Sequence, residues 1–168
     1  FFFVGLGIGM NPDMKKDIKS LSPRLALLPL ATILGSWLGA MVAYLIMNID
    51  LTSIMQHRSL SDCMALNSGF AYYSLSSIFI TEYRGAELGT IALLANIIRE
   101  MITLLLTPLL AKWFGPLAPI STGGATTMDT TLPIITQTIG QRYVALSIYH
   151  GFVTDFSVPF LVTMWCML

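Results

Sequence analysis

Charged side chains are scarce in this chain. They make up 11% of its 168 residues, where a soluble domain carries about a quarter. Hydrophobic residues make up 55% and the mean hydropathy is +0.73, which excludes an ordinary water-soluble fold and indicates an integral membrane protein. Net charge is zero, so nothing favours nucleic acid as a partner. Two cysteines, Cys63 and Cys166, are too few for a disulfide framework and read as small hydrophobes. His57 has no second His, Cys or Glu at ligand spacing, and no metal or other cofactor is expected. The usual marks of an intramembrane enzyme are missing too: there is no Gly-x-Ser-x-Gly, no His-Glu-x-x-His and no aspartate pair around a glycine. A signal peptide would need a charged n-region and a small-residue cleavage site, and neither pattern occurs.

What is present is a series of apolar runs broken by polar stretches. Residues 1–10 open inside such a run, which suggests the tail of a span whose earlier part lies upstream or on a small partner subunit. A basic loop follows, with Lys15, Lys16, Lys19 and Arg24; a short loop of this kind is expected in the cytoplasm. The 25 residues of 24–48 reach ~37 Å as a helix, enough to cross a bilayer with tilt. Ala31, Gly35, Gly39 and Ala43 share one face of it, predicting a seam where another helix approaches closely. Residues 49–60 read as a short amphipathic connection. The next run, 61–81, is only half apolar and is interrupted at Asn67-Ser68-Gly69. Two readings stand for it: a helix whose polar face packs on neighbours, or a broken helix with exposed backbone groups at the midplane.

Residues 87–113 form a second long span. Asn96, Glu100, Thr103 and Thr107 lie 4, 3 and 4 apart, which makes one polar stripe. A charge at mid-span costs at least ~2.5 kcal/mol on insertion scales, so Glu100 is expected to face the bundle interior. Arg99 cannot pair with its chain neighbour on a helix and needs Asp129 or the carbonyls of a broken helix. Residues 117–140 hold the most unusual stretch, Ser121 to Pro133, with two adjacent glycines, Gly123 and Gly124, six hydroxyl side chains and Asp129. Irregular backbone at membrane depth persists only where protein buries it or it lines a watery cavity, so this stretch is expected to line a substrate path. The last span, 142–168, carries His150 and Asp155. His150 reads either as a proton relay or as a neutral ring hydrogen-bonded to a helix backbone.

If all five later segments cross, Lys15, Lys16, Lys19, Arg24, Arg84 and Arg142 lie inside, with Arg58 and Lys112 outside. That bias favours full crossing of both polar segments and puts the C-terminus outside. The fold class is therefore all-α: a single polytopic transmembrane bundle with discontinuous helices.

Several blocks carry a family resemblance. Gly69-Phe70-Ala71-Tyr72-Tyr73-Ser74, Ile80-Thr81-Glu82-Tyr83-Arg84-Gly85-Ala86-Glu87, Leu94-Ala95-Asn96-Ile97-Ile98-Arg99-Glu100, Gly123 to Pro133 and His150-Gly151-Phe152 follow in order across residues 60–160. Together they resemble the bacterial and archaeal lysine exporter LysO family. The resemblance implies a multi-pass inner-membrane exporter of L-lysine and its analogue thialysine, coupled to proton entry, with both termini outside. It also implies that the family's first spans are not in this chain.

The residue types suit such a path. A half-helix N-terminus presents free N–H groups to a carboxylate, while Glu100 and Asp129 offer charge-assisted hydrogen bonds to ammonium groups. Asn67, Asn96, Arg99, Gly123, Gly124, Thr126, Thr127, Thr130 and His150 complete the candidate substrate-binding and proton-coupling set. Asp129 has a structural reading as well, as the N-cap of a helix entering at Thr130. The alternatives are a proton- or sodium-coupled transporter of another small organic solute, and a non-transporting membrane subunit.

Overall fold

The computed structural model describes residues 23–49 and 59–168; the expectations for residues 1–10, the basic loop up to Ser22 and the 50–58 connection lie outside the described residues. Seven α-helices are present among them: α1 Leu28–Ile49, α2 Leu60–Asn67, α3 Tyr73–Arg84, α4 Ala86–Phe114, α5 Ala118–Gly123, α6 Leu132–Ile139 and α7 Val144–Met167. Short 3-10 turns cover Pro23–Leu27, Gly124–Met128 and Gln141–Tyr143. Three stretches are long and apolar enough to cross a membrane: Pro23–Ile46, Ala86–Phe114 and Gln141–Met167. They contain α1, α4 and α7, which make the all-α membrane bundle.

The shorter helices are paired into hairpins within 61–81 and 117–140, the two segments expected to cross. α2 has eight residues and α3 has 12, so they rise only ~12 and ~18 Å. Their outer ends lie side by side: Arg84 at the end of α3 pairs with Asp62 in the first turn of α2 at 3.5 Å. Arg84 also donates from Nε to the Cys166 carbonyl at 3.1 Å, which ties both ends of this first hairpin to the end of α7. A crossing segment would have its ends a membrane thickness apart.

The second hairpin, α5 and α6, enters from the other end of the bundle. Leu117 before α5 and Ile139 at the end of α6 pack against one cluster with Tyr143, Leu146, Leu25 and Leu28, where α1 and α7 begin. Gly140, at φ +96°, makes the tight reversal from α6 into the turn before α7, a conformation that favours glycine. Both polar segments therefore fold back on themselves within the bundle, each with its two ends close together.

The first hairpin is held by the apolar cluster of Ala65, Phe70, Ile80, Leu88, Ala92, Val158, Val162 and Cys166. Trp37 of α1 meets Trp165 of α7 edge to face at 5.4 Å, a geometry worth about 0.5–1.5 kcal/mol beyond area. Lipid removes most of the hydrophobic drive between helices, so close packing and buried polar bonds carry more of the specificity. Trp37 Nε1 supplies one, donating to Ser68 Oγ at 2.9 Å.

Candidate functional site

The hairpins meet tip to tip inside the bundle. Ala125 of the second tip donates its backbone N–H to the Phe70 carbonyl of the first at 2.9 Å. Gly124, at φ +60°, lies against the same carbonyl, and a side-chain carbon there would collide with that oxygen. On the first tip Phe70 and Ala71 have φ of +44° and +68°. Non-glycine residues in this region cost roughly 1–3 kcal/mol each and persist only where the surroundings over-determine them.

Asn96 supplies part of that determination. Its Oδ1 accepts the Ala71 N–H at 2.8 Å, while its Nδ2 donates to the Ala92 carbonyl at 2.9 Å and to Ser76 Oγ at 3.3 Å. The stripe expected on α4 has Asn96, Thr103 and Thr107 buried. Arg99 and Glu100 flank it on opposite sides, because adjacent helix positions differ by about 100°.

Arg99 takes the second of the partners foreseen for it. Nε donates to the Thr122 carbonyl at 2.9 Å and Nη2 to the Ser121 carbonyl at 3.1 Å, so a guanidinium sits on the C-terminal, negative end of α5. The Phe70 ring lies beneath it at 5.5 Å. Glu100 faces the other way, within electrostatic reach of the Thr130 side chain and of Asp129. Asp129 also acts on Asp155 of α7. Three carboxylates, one from α4, one from the second tip and one from α7, are thus linked electrostatically through Asp129, whose exposure leaves the group open to the outside of the bundle. Asp155 is the member that sequence reasoning left without a role; its signal was an ionisable group in mid-span.

Asp129 is exposed and accepts the Thr130 N–H at 2.6 Å. α6 has Thr131 as its N-cap, with no side-chain cap bond, so the N-cap reading of Asp129 is corrected. The carboxylate shapes the approach to the helix and leaves its second oxygen to the opening.

His150 is fully buried between three elements. Nε2 lies 2.9 Å from Thr32 Oγ1 of α1, and Nδ1 lies 3.3 Å from Thr127 Oγ1. Thr127 Oγ1 sits 2.8 Å from both the Gly124 and the Ser147 carbonyls, so its single proton is used there and the ring donates from Nδ1. In a neutral ring Nε2 then accepts from Thr32. The ring's bonds run to these two hydroxyls, where the expectation was a helix backbone.

A family model described as "Lysine exporter LysO" matches residues 1–166. The chain belongs to the lysine exporter LysO family. It is 31% identical over 161 residues to the "Lysine exporter LysO" of Escherichia coli K12, an alignment covering 96% of this chain and 50% of that protein. It is also 31% identical over 161 residues to the "Putative lysine exporter" of Haemophilus influenzae, covering 96% of this chain and 77% of that protein. The chain spans about half the length of the Escherichia coli relative. No solved structure matches it.

In this LysO-family chain the candidate residues divide into two groups. Asn96, Thr126, Thr127 and His150 have their polar atoms engaged with protein, and Gly123 and Gly124 are pressed against neighbouring atoms. These six build the tips. Glu100, Asp129 and Thr130 face the opening, and Arg99 and Asn67 line a separate cavity of about 480 Å³. The stripe of α1 is part of that cavity wall. Gly35 and Gly39 have no atom within 4 Å of where a side chain would begin, so among the described residues the expected helix seam is an open groove.

Proposed function

We propose that this chain forms the core of an inner-membrane exporter of L-lysine, with thialysine as an accepted analogue, working by exchange against protons. The relatives' printed names supply the substrate class. The observation that carries the reading is the electrostatic linkage of Glu100 of α4 and Asp155 of α7 to the exposed Asp129 of the second tip. An isolated carboxylate inside a bilayer is costly, and three together hold a strong demand for a cation. An ammonium group or protons can meet it, and a carboxylate that binds one at a time exchanges them. The tips give such a cycle two faces, since each hairpin closes the bundle from its own side.

Orientation follows from the basic residues. Lys112 and Arg142 stand at the end where α1 begins, and the run Lys15, Lys16, Lys19 and Arg24 leads into that end. Arg84 stands at the other, with Arg58 just before Ser59. Six against two favours an α1 start in the cytoplasm and a C-terminus outside.

Lysine-loaded proteoliposomes of the full protein test the reading. Glu100→Gln should abolish proton-driven lysine efflux with the protein still in the membrane, and full efflux would overturn Glu100 as the exchanging group. Asp129→Asn and Asp129→Ala should both lower efflux; survival of both would remove it from the path.

A further inference from the structure

The acidic opening accounts for the side-chain ammonium of lysine and leaves its α-amino-acid head without a partner. We infer that the groove around Arg99, on the other side of α4, is an α-carboxylate site for the transported amino acid, an inference that rests on the proposed export of lysine.

The groove holds about 480 Å³ and is walled by Thr32 and Ser36 of α1, Asn67 at the end of α2, Arg99 of α4, and Ser121 and Thr122 of α5. A second cavity of about 280 Å³ continues along α1 and shares Asn67 and Arg99 with the first. Guanidinium carries five N–H donors in a planar fork suited to carboxylates. The Ser121 and Thr122 carbonyls take two of them, and these bonds fix the plane of the fork. The remaining donors are available to the space between α1 and α4. Around that fixed fork stand three kinds of polar group: hydroxyls, the Asn67 amide, and the half-helix carbonyl end.

That set matches the head of an α-amino acid. A carboxylate takes the guanidinium donors, while the neighbouring α-ammonium finds the negative end of α5 and the hydroxyls beside it. A seam for a helix has no use for a charged fork, and a guanidinium needed only to cap α5 would not require hydroxyls facing it across the groove from α1. Gly35 and Gly39 keep the opposite wall low, which leaves the head group room to approach.

The test compares ligands that differ only at the carboxylate. In the purified full-length protein, binding of L-lysine, of L-lysine methyl ester and of cadaverine (lysine without its carboxylate) is measured by calorimetry. Wild-type protein should bind lysine roughly 10- to 100-fold more tightly than cadaverine or the ester, the size of one lost hydrogen bond to a charged group. Arg99→Gln should erase that preference by weakening lysine alone.

A second variant needs no change at Arg99. Gly35 has space for a side chain, so Gly35→Asp offers the fork a tethered carboxylate, and Gly35→Asn is its neutral control of equal size. Gly35→Asp should weaken lysine at least tenfold relative to Gly35→Asn, with cadaverine unchanged. Equal binding of lysine and cadaverine by wild type overturns the carboxylate site and leaves amine export standing. Equal effects of Gly35→Asp and Gly35→Asn overturn it as well. If wild type binds neither lysine nor cadaverine, the export reading itself fails and takes the site with it.

Discussion

Replacing Gly124 by alanine attacks the point on which the hairpins depend. Two costs arise together. Gly124 has φ +60° and ψ −126°, a backbone region that is nearly glycine-only and costs other residues about 1–3 kcal/mol. The new methyl group also meets the Phe70 carbonyl oxygen and carbon, which are backbone and cannot swing aside. Parting the tips to make room breaks the 2.9 Å bond from Ala125 N to Phe70 O, and an unpaired buried backbone group costs about 1–3 kcal/mol. The expected loss is therefore about 2–6 kcal/mol, a large share of the 5–15 kcal/mol that folded domains possess. Denaturant titration in mixed micelles reads the stability, and lysine efflux per folded molecule reads the function; both should fall. Gly39→Ala is the control for the stability reading alone, because nothing lies within 4 Å of its added carbon and alanine favours an ordinary helix by up to about 1 kcal/mol. If Gly124→Ala unfolds within about 0.5 kcal/mol of wild type, the range of a surface change, the tip-to-tip contact does not hold the bundle.

Two other substitutions separate building roles from transport roles. His150→Leu removes the ring that joins Thr32 to Thr127 and should cost about 1–3 kcal/mol of stability while lysine efflux per folded molecule persists; lost efflux at wild-type stability would make His150 a relay. Asp155→Asn removes one of three charges at the opening and should weaken lysine binding about two- to fivefold, as expected of a partly exposed charge pair. Unchanged binding would place Asp155 outside the path.

The long spans were legible because their apolar runs match the bilayer, and the breaks because Asn67-Ser68-Gly69 and Gly123-Gly124 are too polar to face lipid. Whether the broken segments cross was not legible. Turning both into hairpins moves Arg84 to one end and Lys112 to the other, so the basic residues still divide six to two. The positive-inside count is degenerate between the two topologies. The first tip hid its character as well, since its positive φ values fall on Phe70 and Ala71 and not on Gly69. At the site, intramembrane charge identified Arg99, Glu100 and Asp129, and the carbonyl partners of Arg99 were among those anticipated. Thr126, Thr127 and Asn96 bond to backbone, a use that sequence does not distinguish from ligand contact. The α1 stripe was legible only as a place of close approach, because small residues at every fourth position do not say whether a helix or a ligand approaches.

The most direct test is the sidedness of the hairpin ends. Single cysteines at Ser59, Glu82, Trp113 and Gln141, in the full-length protein with Cys63 and Cys166 replaced by serine, are exposed to an impermeant thiol reagent from one side of the membrane and then the other. All four positions are exposed. Re-entrant hairpins predict that Ser59 and Glu82 label from one side, and Trp113 and Gln141 from the opposite side. Labelling of Ser59 and Glu82 from opposite sides would mean that the first polar segment crosses, and the meeting of two tips inside the bundle would be contradicted.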